Sequence, residues 1–231
     1  MTAKRAPNRK MPNAPVPRRR PRGRPRLEDM ADIEKELFEV ALAEFLRHGY
    51  GGTSMATIVK AAGVSKTTLY SRFASKEDLF IAMMKKMVEG DLSARIRAVE
   101  APSRPLADML REFACKSLEI GLDAEHYGIV RLIYGESHRF PELRAAGEAL
   151  AGASRTGITN VIGAYADREG LAFANIDAPA NALTLFLRGM HLDIVLSGKR
   201  MVGADEREEI DWFVELLVRD LMQHSGPGPK A

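Results

Sequence analysis

Residues 49–80 read GYGGTSMATIVKAAGVSKTTLYSRFASKEDLF, which contains two short helical patterns separated by a glycine. The first pattern has the apolar spacing of one buried helix face, and its apolar residues are Met55, Ile58, Val59 and Ala62. Gly63 supplies the positive φ that a tight turn between two helices requires. Ser65 can cap the second helix, on which Leu69 and Phe73 face inward. We therefore predict a helix-turn-helix over residues 54–73.

The outward side of the second helix carries side chains that suit the major groove of DNA. Thr67 and Thr68 can hydrogen-bond base edges, and Lys66 can reach a guanine or a phosphate. The ring of Tyr70 can pack against the sugar-phosphate wall. Phosphates are also expected at the starts of the two flanking helices, beside Thr53, Ser54 and Lys76. From Thr53 to Lys76 the sequence has four basic residues and no acid, which favours a polyanionic partner.

Charge is distributed unevenly along the 231 residues. Residues 1–26 contain ten of the 34 basic residues and no acid, whereas the remainder has 24 basic and 31 acidic residues. The segment also holds six of the twelve prolines and little apolar surface, so we predict a disordered basic arm. Its RGRP sequence resembles an AT-hook, and the residues that would enter the minor groove are Arg22, Gly23, Arg24, Pro25 and Arg26. A generic basic tail that only steers the protein toward DNA is the alternative.

The rest of the chain has helical rather than strand periodicity. Apolar residues recur at intervals of three and four, and no segment alternates with period two. We predict an all-α fold of about nine helices, with residues 170–176 as a loop. The predicted domains are a disordered arm (1–26), a helix-turn-helix DNA-binding domain (27–75), a regulatory ligand-binding and dimerisation domain (76–224) and a disordered tail (225–231).

The segment from residue 30 to residue 80 resembles the TetR family of bacterial transcriptional regulators. The pattern that carries the resemblance is GYxxTSMxxIxxAAGVSKxTLYxxFxSKExLF, which this sequence matches almost throughout. The resemblance implies a three-helix DNA-binding domain, a larger helical domain with a ligand cavity, and a homodimer formed through the last two helices. It implies base contacts from Lys66, Thr67, Thr68 and Tyr70, and phosphate contacts from Thr53, Ser54, Arg72 and Lys76. Thr67 departs from the family pattern, since many relatives have glycine there.

The C-terminal region offers candidate cavity and interface residues. Residues 129–143 read IVRLIYGESHRFPEL, which resembles the regulatory domain of efflux-type TetR regulators. Aromatic and methionine side chains are candidates to line a cavity, although their spacing also suits plain core: Met83, Met87, Phe113, Tyr127, Tyr134, Phe186 and Met190. The last two helices are apolar on more than one face, which a two-fold interface would explain. The interface candidates are Leu187, Ile194, Trp212, Phe213 and Leu217.

Enzymatic and metal chemistry have no support in the sequence. The five histidines lack the spacing of a metal site, and the single cysteine, Cys115, is expected to be a small core residue. Glu136 and His138 beside Arg139 could suggest acid–base chemistry, but their position favours a solvated helix end or polar groups of the pocket. No apolar run is long enough to cross a membrane, so a cytoplasmic protein is predicted. The resemblance implies a bacterial, nucleoid-associated protein, and no cofactor is predicted.

We therefore predict a ligand-responsive regulator, a repressor like most members of the family, that binds a palindromic double-stranded DNA operator as a homodimer. A small-molecule effector of unidentified chemistry would release it from the DNA. Two alternatives from other classes stay open. The first is an architectural DNA-binding protein whose arm supplies most of the affinity, and the second is an enzyme that uses the C-terminal cavity.

Overall fold

The computed structural model describes residues 27–99 and 104–228, with side chains described at 33–90 and 104–228. The helices within those residues are α1 (Leu27–Gly52), α2 (Met55–Ala62), α3 (Lys66–Tyr70), α4 (Lys76–Val99), α5 (Leu106–Leu122), α6 (Ala124–Glu136), α7 (Pro141–Glu169), α8 (Asp177–Leu196) and α9 (Ala204–Gln223). The predicted all-α fold is confirmed for this part of the chain. The predictions for the arm, including residues 22–26, lie outside the described residues.

An N-terminal core joins the helix-turn-helix to the beginning of α4 and to α6. Phe45, Tyr50 and Phe80 are buried in it, with ring centroids 5.3 to 5.5 Å apart. Ile129 of α6 and Leu143 of α7 belong to the same buried cluster. The domain boundary predicted between residues 75 and 76 therefore falls within one continuous core.

A second core is formed by α5, α7, α8 and α9. Each of these helices contributes fully buried side chains, such as Phe113, Ile158, Leu183 and Ile210. Cys115 lies partly buried against this core, and burial raises the pKa of its thiol. It therefore packs at the edge of the core as a small apolar residue.

Two short strands form an antiparallel ribbon that the sequence did not predict. β1 (Leu171–Phe173) pairs with β2 (Ser225–Pro227), so that Leu171 lies opposite Pro227. The predictions of a loop at residues 170–176 and of a disordered tail from residue 225 are corrected at these strands. Such short strands cannot display a period-two pattern. The paired residues are more than 50 positions apart in the sequence, so their pairing depends on how the preceding helices pack rather than on a local signal.

Candidate nucleic-acid interface

Local hydrogen bonds fix the ends of α2 and α3. The Ser54 hydroxyl accepts a hydrogen bond from the Thr57 amide at 3.2 Å, and the Thr57 hydroxyl accepts one from the Ser54 amide at 3.0 Å. This reciprocal capping box stabilises the start of α2. Gly63 ends α2 with φ 63° and ψ 19°, a left-handed conformation that glycine adopts without strain. Ser65 caps α3 by accepting a hydrogen bond from the Thr68 amide at 3.0 Å, so the predicted turn and the predicted cap of α3 are confirmed.

The inward face of α3 anchors the helix to the N-terminal core. Leu69 is fully buried, and the ring centroid of Phe73 lies 5.8 Å from that of Phe38 on α1. Burial of a leucine or phenylalanine side chain contributes about 1.5–3 kcal/mol. Because α3 has only 5 residues, this packing rather than helix propensity holds it in place.

The outward face of α3 presents a polar surface to solvent. Lys66, Thr67 and Tyr70 are exposed, and half of the Tyr70 surface is accessible. Thr68 is half-buried, with its hydroxyl 2.8 Å from that of the capping serine. Ser54 at the start of α2 is also exposed. Side chains of these types can hydrogen-bond base edges or phosphates.

Thr53 lies inside the protein, although the sequence predicted a phosphate contact there. Its side chain is 3% exposed, and its hydroxyl lies 2.8 Å from the Gly49 carbonyl and 3.1 Å from the Glu44 carbonyl. A hydroxyl has one proton to donate, and here that proton is used by a carbonyl. Thr53 therefore closes the last turn of α1, where carbonyls lack partners within the helix.

Lys76 also points into the protein. Its ammonium donates to the carbonyls of Tyr50 and Thr53 at 2.6 and 3.0 Å and lies 4.2 Å from the centre of the Tyr50 ring. Burial lowers the pKa of this lysine, and the carboxylates of Glu142 and Glu136 act in the opposite direction. Lys76 thus braces the start of α4 against the turn after α1.

Arg72 is the third predicted phosphate contact that faces inward. Its guanidinium is 3.5 Å from the Glu34 carboxylate on α1, and its side chain is 17% exposed. The structure thus separates the eight predicted residues into two groups. In the first group Thr53 is buried, and Arg72 and Lys76 are half-buried with their charged groups bonded within the protein. In the second group Ser54, Lys66, Thr67 and Tyr70 are exposed, and Thr68 is half-buried beside the cap of α3. Their contacts with DNA stay predictions.

A carboxylate from α6 holds the turn at the entrance to the motif. Glu136 accepts hydrogen bonds from the amides of Tyr50 and Gly51 at 2.9 and 3.1 Å. Gly49 interrupts α1 with φ 73° and ψ 167°, and a Cβ there would lie 2.7 Å from the Glu136 carboxylate. Phe140 packs against the Tyr50 ring, with centroids 5.0 Å apart. This contact couples the helix-turn-helix to the C-terminal part of the chain.

Sequence reasoning missed this role of Glu136, although its position carries a signal. A carboxylate in the last turn of a helix faces the negative end of the helix dipole, which is unfavourable unless other donors compensate. Its partners are 86 and 85 residues away, so the local pattern suggests only a solvated helix end.

The Tyr50 hydroxyl beside this turn is buried without a hydrogen-bond partner among the described residues. Burial raises the pKa of this phenol. The Glu142 carboxylate raises it further, since it lies close enough to act on the pKa but not in hydrogen-bonding geometry.

A cavity of about 150 Å³ lies among α4, α5, α6, α7 and α8. Of the seven residues predicted to line a cavity, Met87 and Tyr134 line this one. Three others are buried in the two cores, namely Met83, Phe113 and Met190. Tyr127 lines a second, apolar groove between α6 and α8, and Phe186 stacks on Phe213 with centroids 4.2 Å apart. Methionine and aromatic side chains suit core and cavity alike, so helical spacing cannot separate the two.

The last two helices expose apolar side chains, which we call the exposed apolar stripe. Its residues are between 40% and 75% exposed, and they are Leu185, Leu192 and Leu196 of α8 with Trp212 and Leu216 of α9. Their spacing of four and seven residues places each set on one helix face. Among the predicted interface residues, Trp212 alone belongs to this stripe.

The other predicted interface residues pack within the subunit. Leu187 and Ile194 are 5% and 2% exposed, and Phe213 and Leu217 are half-buried against the second core. When a helix is apolar on two faces, its sequence does not show which face packs against the core of its own subunit.

Within residues 33–90 and 104–228, no three His, Cys, Asp or Glu side chains come together as a metal site. No helix in the described part of the chain is long and apolar enough to cross a membrane.

The N-terminal segment matches a known family. The sequence profile described as "Bacterial regulatory proteins, tetR family" matches residues 37–83, which include all of α2 and α3. The HTH-type transcriptional regulator RutR of Escherichia coli (strain K12) is 36% identical over 90 residues, 39% of this chain and 42% of RutR. The HTH-type transcriptional repressor ComR of the same strain is 39% identical over 69 residues, 29% of this chain and 30% of ComR. The chain thus spans less than half the length of these curated relatives.

Structural likeness extends over most of the chain. The solved structure of the Flavonoid-responsive Regulator FrrA superposes with a TM-score of 0.62 at 26% identity, covering 87% of this chain and 100% of that one. The superposition therefore includes helices well beyond the helix-turn-helix. Because the capped motif and these matches agree, residues 37–83 form a helix-turn-helix segment of the TetR family of bacterial regulatory proteins, and the rest of the chain shares the all-helical fold of FrrA.

Proposed function

We propose that this chain is a transcriptional repressor that binds a palindromic DNA operator as a homodimer and is released by a small-molecule inducer. The observation that carries the proposal is the exposed face of α3, where Lys66, Thr67 and Tyr70 stand out from a helix anchored on its other side. Charge supports it, since Lys60 and Lys66 are exposed and residues 53–76 contain no acid. Such a face fits the major groove of DNA.

In this proposal the residues of the motif divide between contact and support. Thr67 and Tyr70 would meet base edges and the groove wall, and Lys66 would bind a guanine or a phosphate. Ser54 and the amides at the start of α2 would bind a phosphate. Three residues would brace the face from behind, namely Thr53, Arg72 and Lys76. A face that is fixed before binding loses less entropy on the DNA.

The exposed apolar stripe supports a two-fold dimer. Its leucines on α8 and its Trp212 and Leu216 on α9 would pack against the same residues of a second copy, forming a four-helix bundle. A two-fold dimer can place its two α3 helices in successive major grooves, about 34 Å apart. A repressor that binds chromosomal DNA would be located in the bacterial cytoplasm, at the nucleoid.

Light scattering coupled to size-exclusion chromatography tests the dimer. The double variant Leu185→Glu/Trp212→Glu is expected to be monomeric because each chain would bring two charges to the stripe. Glu148→Ala, on an exposed position of α7, is the control that should stay dimeric. A wild-type chain that elutes as a monomer at micromolar concentration would contradict this part of the proposal.

A cavity-bound inducer can act on the DNA-binding face through α6. Ile133 and Tyr134 of α6 line the cavity, and Glu136 on the same helix holds the amides of Tyr50 and Gly51. A shift of α6 as a rigid element would therefore move the turn that precedes α2. Lys76 at the start of α4 offers a second connection to this turn, because its ammonium donates to the carbonyls of Tyr50 and Thr53. An inducer that binds the shifted conformation more tightly would lower operator affinity.

Removal of the basic arm, residues 1–26, separates the proposal from its rivals. Whether the arm enters the minor groove or only steers the protein toward DNA, its deletion should make the salt dependence of DNA affinity shallower. The preference for the operator sequence should be largely retained. If the preference for the operator sequence vanishes when the arm is deleted but is retained in Thr67→Ala and Tyr70→Ala, the protein is an architectural DNA-binding protein rather than a repressor. Turnover of a cavity ligand, unaffected by Tyr70→Ala, would instead support an enzyme.

Selection of bound sequences from random duplex DNA with the purified full chain tests the proposal. We expect enrichment of an inverted repeat whose half-sites lie about one helical turn apart, because each subunit would read one half-site. A pool that stays random after repeated rounds of selection would contradict it.

A further inference from the structure

The cavity among α4 to α8 has a charge pattern that points to the chemical class of its ligand, and the inference rests on the proposed inducer site. Apolar side chains such as Met87 and Leu118 form much of its lining. None of the described residues that line it is acidic, whereas Arg188, His126 and His191 are basic or can become so. This asymmetry disfavours a cationic ligand.

Arg188 is the permanent charge of this lining. It lies one helical turn after Thr184 and one turn before His191, and both of these residues line the same cavity. Its side chain therefore starts from the cavity side of α8, and its exposure places it at the mouth. No carboxylate in the described part of the chain pairs with it. Its guanidinium is thus available to a ligand, to which it offers a charge and several N–H donors.

Several other polar groups of the lining have already used their protons. His191 Nε2 lies 3.0 Å from the Gly121 carbonyl, which can only accept, so this nitrogen carries the proton. The hydroxyls of Ser117 and Thr184 donate to carbonyls of their own helices at 2.7 and 2.8 Å. These hydroxyls can still accept hydrogen bonds, but they have no proton left to donate to a ligand. Arg188 therefore supplies the charged donor of the site.

The size of the cavity limits the body of the ligand. A volume of about 150 Å³ holds roughly one aromatic ring or a short alkyl chain. We propose that the inducer is a compact organic acid whose apolar body fills the cavity and whose carboxylate binds Arg188 at the mouth. An amine of the same shape would bring its ammonium beside the guanidinium without gaining a partner. An alcohol would lack the charge that strengthens the hydrogen bond.

Isothermal titration of the full chain with matched ligands tests the proposal. One series is phenylacetate, 2-phenylethanol and phenethylamine, and the other is octanoate, 1-octanol and octylamine. In at least one series we expect the acid to bind about tenfold more tightly than its alcohol and its amine, as one charge-assisted hydrogen bond would give. Arg188→Gln should abolish this preference. Arg47→Gln, at an exposed position of α1 outside the lining, should keep it.

The proposal fails if neither acid is preferred over its alcohol and amine, or if the preference persists in Arg188→Gln. It also fails if Arg188→Gln changes the oligomeric state and leaves the acid preference unchanged, because Arg188 then belongs to a subunit contact. If circular dichroism shows that Arg188→Gln does not fold, Arg188→Lys is titrated instead. This variant keeps the charge and should keep the preference for the acid, and loss of that preference overturns the proposal. The titration contains no DNA, so failed operator binding would contradict the proposed function alone.

Discussion

Replacing Glu136 by alanine removes the carboxylate that joins α6 to the turn before α2. The partly buried Tyr50 amide loses an acceptor at 2.9 Å, and the exposed Gly51 amide loses one at 3.1 Å. Loss of a charged acceptor from a partly buried amide costs about 1–3 kcal/mol, whereas an exposed amide can bond to water at little cost. We expect Glu136→Ala to lower the free energy of unfolding by about 2 kcal/mol, and hence Tm by about 4–8 °C.

Urea denaturation followed by circular dichroism, together with calorimetry, measures this effect. Glu136→Gln keeps one accepting oxygen and should lose about half as much stability. Glu148→Ala is the matched control, because Glu148 is an exposed glutamate of α7 with no hydrogen bond or ion pair among the described residues. Its stability should change by less than about 0.5 kcal/mol. Equal stabilities of Glu136→Ala and Glu148→Ala would refute the reasoning that Glu136 holds the turn.

Three further changes test the turn and the motif. Tyr50→Phe removes a buried hydroxyl that lacks a hydrogen-bond partner among the described residues. In urea denaturation at pH 7 the free energy of unfolding should therefore stay the same or rise by about 1 kcal/mol, and a clear loss would contradict this. Because the pKa of the Tyr50 phenol is raised in the folded state, folding opposes its ionisation, and Tyr50→Phe should flatten the fall in Tm above about pH 10. Gly49→Ala forces a side chain onto φ 73° and places a Cβ 2.7 Å from Glu136. It should cost about 2–3 kcal/mol alone and less in the Glu136→Ala background, and strict additivity would exclude the clash. Ser65→Ala should cost about 1 kcal/mol, whereas Ser65→Asp should keep the cap of α3, and equal losses in the two variants would show that the cap contributes little.

The helix-turn-helix could be predicted from the sequence because each of its determinants acts over a few residues. Ser54 and Ser65 bond to amides three residues ahead, and Gly63 sets the turn by its own backbone conformation. The inward position of Leu69 follows from helical spacing alone. The ends of α2 and α3 and the turn between them can therefore be predicted from local signals.

The supporting roles of Lys76 and Glu136 could not be predicted because their partners are remote in the chain. Lys76 bonds to carbonyls 26 and 23 residues away, and Glu136 bonds to amides 86 and 85 residues away. A lysine within a basic motif suggests a phosphate contact, although the fold uses it as a brace. The same limit applies to α8, where Leu185 is exposed and Leu187 is buried, since both faces of the helix are apolar in the sequence.

Sequence reading by α3 can be measured as the ratio of affinities for a selected operator and for a scrambled duplex of equal length, by fluorescence anisotropy at one salt concentration. For the wild-type chain we expect a ratio of about 10³ or more. Thr67→Ala/Tyr70→Ala should lower it by about tenfold or more, because each lost base contact is worth about 1–3 kcal/mol. Lys85→Ala, at an exposed position of α4 outside the motif, should leave it unchanged. An undiminished ratio in Thr67→Ala/Tyr70→Ala would contradict sequence reading by this face.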